Sequence, residues 1–310
     1  MGMTGLRKKI QYPVVTLGTF DGVHLGHQRI IECVKRFAAE RQGESVVITF
    51  DRHPKSVIEN KPVSFITSLN HRLALIERLG VDRVVVLNFD QKLVQMTAED
   101  FIKEIMVEWL GVKFVVLGFN CRFGKNREGN SALVNKLAAG YGFETYGCPP
   151  VVYGEQIISS TAIRQAILDG DLKRAAGMLG RPVSILGTVV KKAGRGRVLG
   201  YPTANLNLHH EVRPPRGVYG TRVYWSGQWH LAVTNIGLRP TFAKEVPASE
   251  NETMEIEVHI INFEKNLYGR DIEVQFLFKI RDEVSFKTIE ELKAQIEKDK
   301  DTLSKSSLSI

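Results

Sequence analysis

The chain has no apolar run long enough to span a membrane. Its opening residues, MGMTGLRKKIQYP, lack the apolar core of a secretory signal peptide. A Met-Gly start raises N-myristoylation, but Leu6 stands where that signal needs Ser or Thr. These absences make the cytoplasm the expected location and leave no membrane partner to expect. Cysteine is scarce: Cys33, Cys121 and Cys148 lie far apart and form no CxxC pair. That argues against a zinc ribbon or a dithiol redox motif and fits a reducing compartment. Although the formal charge is +8, no basic block is interleaved with aromatics in the manner of single-strand binders. No nucleic-acid partner is therefore expected. Phosphorylated small molecules would account for part of the positive excess, and a solvated Lys/Arg-rich surface for the rest. Internal repeats are also missing.

What is present is an ordinary globular composition, 43% hydrophobic and 25% charged. A length of 310 residues exceeds what one core usually serves, so two domains are expected. In the first half, Val14–Leu17, Val46–Phe50, Val84–Leu87 and Phe114–Leu117 read as buried strands. Between them His27–Arg41, Asn70–Leu79 and Ala98–Leu110 read as helices. This alternation implies an α/β domain with a doubly wound parallel sheet, whose ligand sits at the carboxyl ends of the strands. Thr161–Leu168 and Leu172–Met178 are helical in pattern, and the pattern changes near Leu179-Gly180-Arg181-Pro182. Val183–Val190, Val218–Tyr224, Trp229–Asn235, Met254–Ile261 and Ile272–Ile280 then read as strands of an antiparallel β-barrel, closed or nearly so. A terminal helix over Ile289–Leu303 completes it, and Ser304–Ile310 is expected to fray. The expected domains are residues 1–182 and 183–310.

Gly18-Thr19-Phe20-Asp21-Gly22-Val23-His24-Leu25-Gly26-His27 follows the first strand and opens the first helix. A helix N-terminus offers free N–H groups and a positive dipole end to a phosphate. The glycines allow backbone to approach a ligand, and two histidines three residues apart can face one phosphate. A glycine-rich turn with incidental histidines, or a metal site, are the competing readings. No clear third and fourth ligands lie nearby, which ranks the metal lower.

His24-Leu25-Gly26-His27 resembles the HxGH signature of the nucleotidylyltransferase superfamily. The ten-residue string is similar to that of the prokaryotic bifunctional riboflavin kinase/FAD synthetase family. Three further segments agree. Thr49–Pro54 resembles TFxxHP, Gly118–Gly124 resembles GxDFxFG or GxNFxFG with Cys121 in place of the aromatic, and Ile158–Arg164 resembles ISSTxIR. The resemblance implies an ATP site drawing on Gly18, Phe20, Asp21, Gly26, Asn120, Ser159, Ser160, Thr161 and Arg164, with His24 and His27 catalytic. From the residues alone, one of the three hydroxyls before the helix caps it, and Arg164 is a surface arginine or a phosphate ligand. Gly118–Lys125 is not a P-loop, since the spacing is one residue too long and Asn126 replaces Ser or Thr. Gly194–Gly200 is likewise one residue longer than the dinucleotide fingerprint.

In the second half, Gly187–Asn205 is rich in glycine and basic residues, a composition suited equally to wrapping phosphates or to an exposed loop. Thr203 and Asn205 carry oxygens suited to Mg²⁺. Met254, Ile256, Val258 and Ile260 share one face of a strand, and Glu255, Glu257 and His259 share the other. A carboxylate on a rigid strand either accepts a substrate proton or is solvated. The segment resembles the riboflavin kinase signature GxVxxGxGRGRxLGxPTAN, with Lys192 where glycine is usual. Leu267-Tyr268-Gly269 resembles DLYG, and its register implies Glu257 as catalytic base. Asn235–Phe242 resembles NxGxxPTF, while Arg281 and Phe286 match lRxexxF. The resemblance implies Gly187, Gly194, Arg195, Gly196, Arg197 and Gly200 at nucleotide phosphates, Thr203 and Asn205 on Mg²⁺, and Asn235, Arg281 and Phe286 at the flavin. The implied reactions convert riboflavin to FMN, then FMN to FAD and pyrophosphate, with ATP as co-substrate in both. An enzyme with one live domain, or a non-catalytic flavin sensor or RNA-binding regulator on the same fold, are the alternatives.

Overall fold

The computed structural model describes residues 10–58, 63–191, 200–209, 211–238 and 254–307. The chain divides into two compact units, Met1–Ala162 and Ile163–Ile310.

The first unit is built on five parallel strands: β1 (Pro13–Leu17), β2 (Glu44–Phe50), β3 (Arg83–Leu87), β4 (Phe114–Gly118) and β5 (Glu144–Cys148). Their order is β3-β2-β1-β4-β5. Every residue of β1 is buried, because both faces of the sheet are covered. Alternate side chains take opposite sides. Val15, Leu17, Val46, Ile48 and Phe50 join a core with Phe101, Ile102, Ile105 and Met106. Val14, Phe114 and Val116 pack against Cys33, Val34 and Ala38 of α1 (Leu25–Glu40). Near-continuous apolar strands are what such two-sided burial demands. Also present are α2 (Pro54–Ile58), α3 (Leu69–Arg78), α4 (Gln91–Gln95), α5 (Ala98–Asp100) and α6 (Ser131–Tyr141). The expected helix over Ala98–Leu110 begins as α5 and continues in π geometry over Phe101–Trp109. A short hairpin, β6 (Val152–Tyr153) and β7 (Gln156–Ile157), follows β5. The chain progresses from β1 to β3 on one side, then returns to lay β4 and β5 on the other. The loops leaving β1 and β4 therefore diverge at the carboxyl edge, the switch point at which open α/β sheets place their ligands.

Helix α7 (Ser160–Leu168) spans the division, and α8 (Leu172–Leu179) belongs to the second unit. There β8 (Val183–Val190), β9 (Ala204–Leu208), β10 (Gly217–Trp225), β11 (Gln228–Leu238), β12 (Met254–Ile260) and β13 (Asp271–Arg281) close into a barrel in the order β10-β11-β12-β9-β8-β13. All six pairings are antiparallel. Ile236, Ile256, Val258, Tyr219 and Phe276 are buried, and the rings of Tyr219 and Phe276 meet edge to face at 5.3 Å. Thr221 and Thr234 are fully buried and satisfy each other at 2.8 Å. The terminal helix α9 (Ile289–Ser307) sets Leu303 against Val218 and Val233. Its length corrects one expectation. The helix does not fray at Ser304 but runs to Ser307, and Ser304 Oγ donates to the Lys300 carbonyl at 3.0 Å.

Candidate active sites

The loop Gly18–His24 joins β1 to α1 at the carboxyl edge of the sheet. Its shape is held from several sides. Gly18 N donates to the Ile48 carbonyl at 3.1 Å, and Val23 N to the Phe20 carbonyl at 3.0 Å. Asp21 is buried, and its Oδ1 accepts from Ile66 N at 2.8 Å and Thr67 N at 3.1 Å. Gly22 N donates to Thr67 Oγ1 at 2.9 Å. Phe20 is buried in a cluster with Ile31, Val47 and Ile76. The side chains of Phe20 and Asp21 thus build the loop, and what they leave at its surface is backbone. Phe20 and Val23 take φ of 49° and 40°. For a β-branched residue such as Val23 that is a strained backbone, of the kind that tertiary contacts hold in place at functional sites.

At the end of the loop His24 caps α1. Its Nδ1 accepts from His27 N at 3.3 Å, which leaves the neutral ring's proton on Nε2. The His24 and His27 rings stack with centroids 3.6 Å apart, and the Phe20 ring meets His27 edge-on at 5.1 Å. A Cβ on Gly26 would lie 3.1 Å from His24 Cε1 and Nδ1, so glycine is what lets the His24 ring fold back over the helix. The first turn of α1 carries no acidic residue. No carboxylate of that turn offsets its positive dipole end, an arrangement compatible with an anion.

Of the other expected residues, Ser159, Ser160 and Asn120 lie at the same edge. Ser160 Oγ donates to the Asp21 carbonyl at 2.9 Å, tying the start of α7 to the loop. Ser159 Oγ accepts from Ala162 N at 3.2 Å and is the capping hydroxyl; Thr161 follows in the first turn and Arg164 lies one turn further on. Asn120 is exposed beyond the end of β4, in a turn closed by Cys121 N to the Gly118 carbonyl at 3.0 Å. Cys121 packs against the sheet core, and burial pushes its thiol up to about 11. The position where the motif usually carries an aromatic is thus a packing position in this chain.

In the barrel, the register sets Glu257 of β12 opposite Asn205 of β9 on one side and Asn235 of β11 on the other. Directly opposed residues share a face, so the three polar side chains form one row. Asn205 is 7% exposed. Its Oδ1, like that of Asn235, is buried with no hydrogen-bond partner among the described residues. A hard cation takes oxygen ligands, so the Asn205 oxygen, with Thr203 two residues earlier, fits Mg²⁺. Nearby lies a cavity of about 400 Å³ lined by Gly200, Tyr201, Pro202, His259, Phe263 and Glu297 among others. Tyr201 donates to Glu297 at 2.7 Å, and that bond raises the phenol's pKa. Gly200 has φ 88° in the turn entering this region. Gly187 is a close-approach residue: a Cβ there would lie 3.1 Å from Leu206 Cβ on β9. Arg281 is committed to Asp299 of α9 through Nε at 3.0 Å and Nη2 at 2.8 Å, and the Phe286 ring lies 5.8 Å from its guanidinium. Gly194, Arg195, Gly196, Arg197 and Lys192 lie outside the described residues, as does 239–242 of the NxGxxPTF segment.

Both halves find their counterparts among known proteins. The family model described as FAD synthetase matches residues 7–162, and that described as riboflavin kinase matches residues 179–307. The bifunctional riboflavin kinase/FMN adenylyltransferase of Haemophilus influenzae is 36% identical over 97% of this chain and 96% of its own. The Escherichia coli protein of the same name is 38% identical over 92% of this chain and 90% of its own. The chain belongs to the bifunctional riboflavin kinase/FMN adenylyltransferase family. A solved Streptococcus pneumoniae structure, described as a macrolide-efflux protein, matches with a TM-score of 0.78 at 32% identity, over 97% of this chain and 95% of that one. That description belongs to the other protein; what the two share is the fold. Among the described residues no helix is long and apolar enough to cross a membrane.

As a family member the chain is a transferase with a FAD synthetase domain and a riboflavin kinase domain. Several residues that shape these sites were not singled out from sequence. Thr67 holds Gly22. Arg72 of α3 is fully buried, donates from Nη2 to the Phe50 carbonyl at 2.5 Å, and has its pKa lowered by burial against the opposing pull of Asp21 and Asp51. A sequence signal did exist for it. Arg72 falls on the apolar stripe of α3 with Leu75 and Ile76, where a charge is out of place.

Proposed function

We propose that residues 1–182 transfer the adenylyl group of ATP to FMN, giving FAD and pyrophosphate, and that residues 183–310 transfer the γ-phosphoryl of ATP to the 5′-hydroxyl of riboflavin. The observation that carries the first assignment is the stacked His24–His27 pair at the N-terminus of α1, whose first turn carries no acidic residue. The FMN phosphate is itself the nucleophile and attacks the α-phosphorus, so no covalent enzyme intermediate is needed. His24 and His27 neutralise charge as it builds on that phosphorus. The loop of Gly18, Phe20, Asp21 and Gly26 shapes the phosphate site, while Asn120, Ser159, Ser160, Thr161 and Arg164 position ATP.

In the barrel Glu257 is the base for the riboflavin hydroxyl, supported by its place between Asn205 and Asn235. Thr203 and Asn205 hold Mg²⁺, which when bound offsets charge on the transferring phosphates. Gly187, Gly200 and the segment Gly194-Arg195-Gly196-Arg197 hold the nucleotide, and Asn235, Arg281 and Phe286 the flavin. Phosphoryl transfer depends mainly on positioning and charge neutralisation, and these residue types supply both. ATP, riboflavin and FMN are the partners; the reactions call for no nucleic acid and fit the cytoplasm.

One pair of variants tests the assignment. His27→Ala should abolish FAD synthesis from FMN while FMN formation from riboflavin continues. Glu257→Ala should do the reverse. Chromatography of flavins after incubation with ATP and Mg²⁺ reads both. Loss of both activities in either variant, or a near-normal kinase rate in Glu257→Ala, would overturn the assignment.

A further inference from the structure

Glu283 lies in the stretch between β13 and α9 and is exposed, yet its carboxylate rests against β11. A Cβ built on Gly237 would fall 2.0 Å from Glu283 Oε1, so the carboxylate occupies the space that any other residue at 237 would fill. Two positions back on the same face, Asn235 Nδ2 donates to the same oxygen at 3.4 Å, a long contact. A carboxylate only accepts. It therefore decides which way the Asn235 amide turns: nitrogen toward Glu283, Oδ1 away from it. That Oδ1 is buried with no hydrogen-bond partner among the described residues, an arrangement that favours a ligand able to donate to it. Asn235 is also directly opposite Glu257 in the β11–β12 register. Residues so opposed hold their Cβ atoms about 4.5–5.5 Å apart. From that separation two side chains can reach adjacent hydroxyls of one polyol chain.

We propose that Asn235, oriented by Glu283, reads the hydroxyl of the ribityl chain next to the one that is phosphorylated, and so makes the kinase specific for a polyhydroxylated acceptor. This rests on the reading in which Glu257 addresses the 5′-hydroxyl; Asn235 Oδ1 then accepts from the 4′-hydroxyl. Asn205 lies on the opposite side of Glu257. The row thus runs from the metal side, through the base, to the residue that reads the acceptor. Glu283 is a positioning residue, since it acts on Asn235 and not on the substrate.

The test uses the full chain with ATP and Mg²⁺, comparing riboflavin with a riboflavin whose 4′-hydroxyl is replaced by hydrogen. The unaltered protein should prefer riboflavin by roughly tenfold or more in kcat/KM, the scale of one hydrogen bond to a buried group. Asn235→Ala should lose that preference because kcat/KM for riboflavin falls, while the value for the deoxy analogue stays within about threefold. Glu283→Ala, in an exposed segment, should do the same in part and carries the test if Asn235→Ala folds poorly. Glu283→Gln, whose amide oxygen also accepts, should restore the preference. Gly237→Ala should mimic Glu283→Ala and add nothing to it in the double variant. Equal losses on both flavins, or an unaltered protein that does not discriminate, would overturn the role of Asn235. Failure of the unaltered protein to phosphorylate either flavin would instead overturn the kinase reading beneath it.

Discussion

At the scale of single residues, the two sites depend on small side chains placed against large polar ones. Gly26 is the sharpest case. Glycine inside a helix ordinarily costs about 0.5–1 kcal/mol relative to alanine, so Gly26→Ala should stabilise α1. Here the new Cβ would meet the His24 ring at 3.1 Å. The ring must then move, and with it the stack on His27. The expected outcome is FAD synthesis slowed by about tenfold or more, as misplacement near 1 Å can cause, with the melting temperature unchanged or slightly raised. Rates and thermal unfolding on one preparation decide it, and unimpaired FAD synthesis would sink the argument. The string Gly18–His27 was fully legible in the sequence. What it did not reveal is the division of labour inside it. Asp21 and Phe20 are buried, and that depends on Ile66, Thr67 and the α3 helix, which lie some 45 positions away along the chain.

Elements were legible in proportion to how much of them is buried. The four apolar strands β1–β4 and the barrel strands β8 and β10–β13 were found within a few residues. Strand β5, Glu-Thr-Tyr-Gly-Cys, was missed because it is an edge strand of which only Cys148 is buried. Strand β9, Ala-Asn-Leu-Asn-Leu, was missed for a different reason. Asparagine is a poor strand former, and Asn205 stands there beside Glu257; candidate functional residues interrupt the local pattern. Helix α6 had its signals in plain view: Asn130 caps it by accepting from Leu133 N at 3.1 Å, and Gly142 ends it at φ 71°. Among the elements that were expected, the largest difference in a boundary is the end of α9, an element held by tertiary contact. Asp299 is buried on α9 and binds Arg281 through two nitrogens and Gln295 through Nε2. Removing one partner of such a pair leaves the other charge uncompensated. Asp299→Ala should therefore cost about 3 kcal/mol, read as a lower urea midpoint for the barrel's transition. A change under about 1 kcal/mol would mean that α9 is held by Leu303 and its apolar neighbours alone.

For the whole molecule, the decisive property is that the two chemistries share an intermediate but not, on the reading above, any side chain. The sequence carried this well, because each half bears its own motif string and the strings follow one another in the family's order. Two compact units with separate sheets are the physical counterpart. If FMN leaves the kinase site as a diffusible product, neither half needs the other half of the same polypeptide to be active. His27→Ala would make FMN and stop; Glu257→Ala would adenylylate FMN but could not make it. Neither alone should turn riboflavin into FAD. Mixed in equal amounts with ATP and Mg²⁺, the two variants should restore FAD formation. FAD should rise only after FMN has accumulated in solution, so a lag precedes it and shortens when FMN is added at the start. The time course of flavins on a chromatogram checks this directly. Restoration with the lag requires both separate sites and FMN release. A mixture that still stalls at FMN, although each variant keeps its own partial activity when assayed alone, would show that FMN stays bound to the kinase site that made it and does not enter solution, and the reactions would then have to be coupled within one chain.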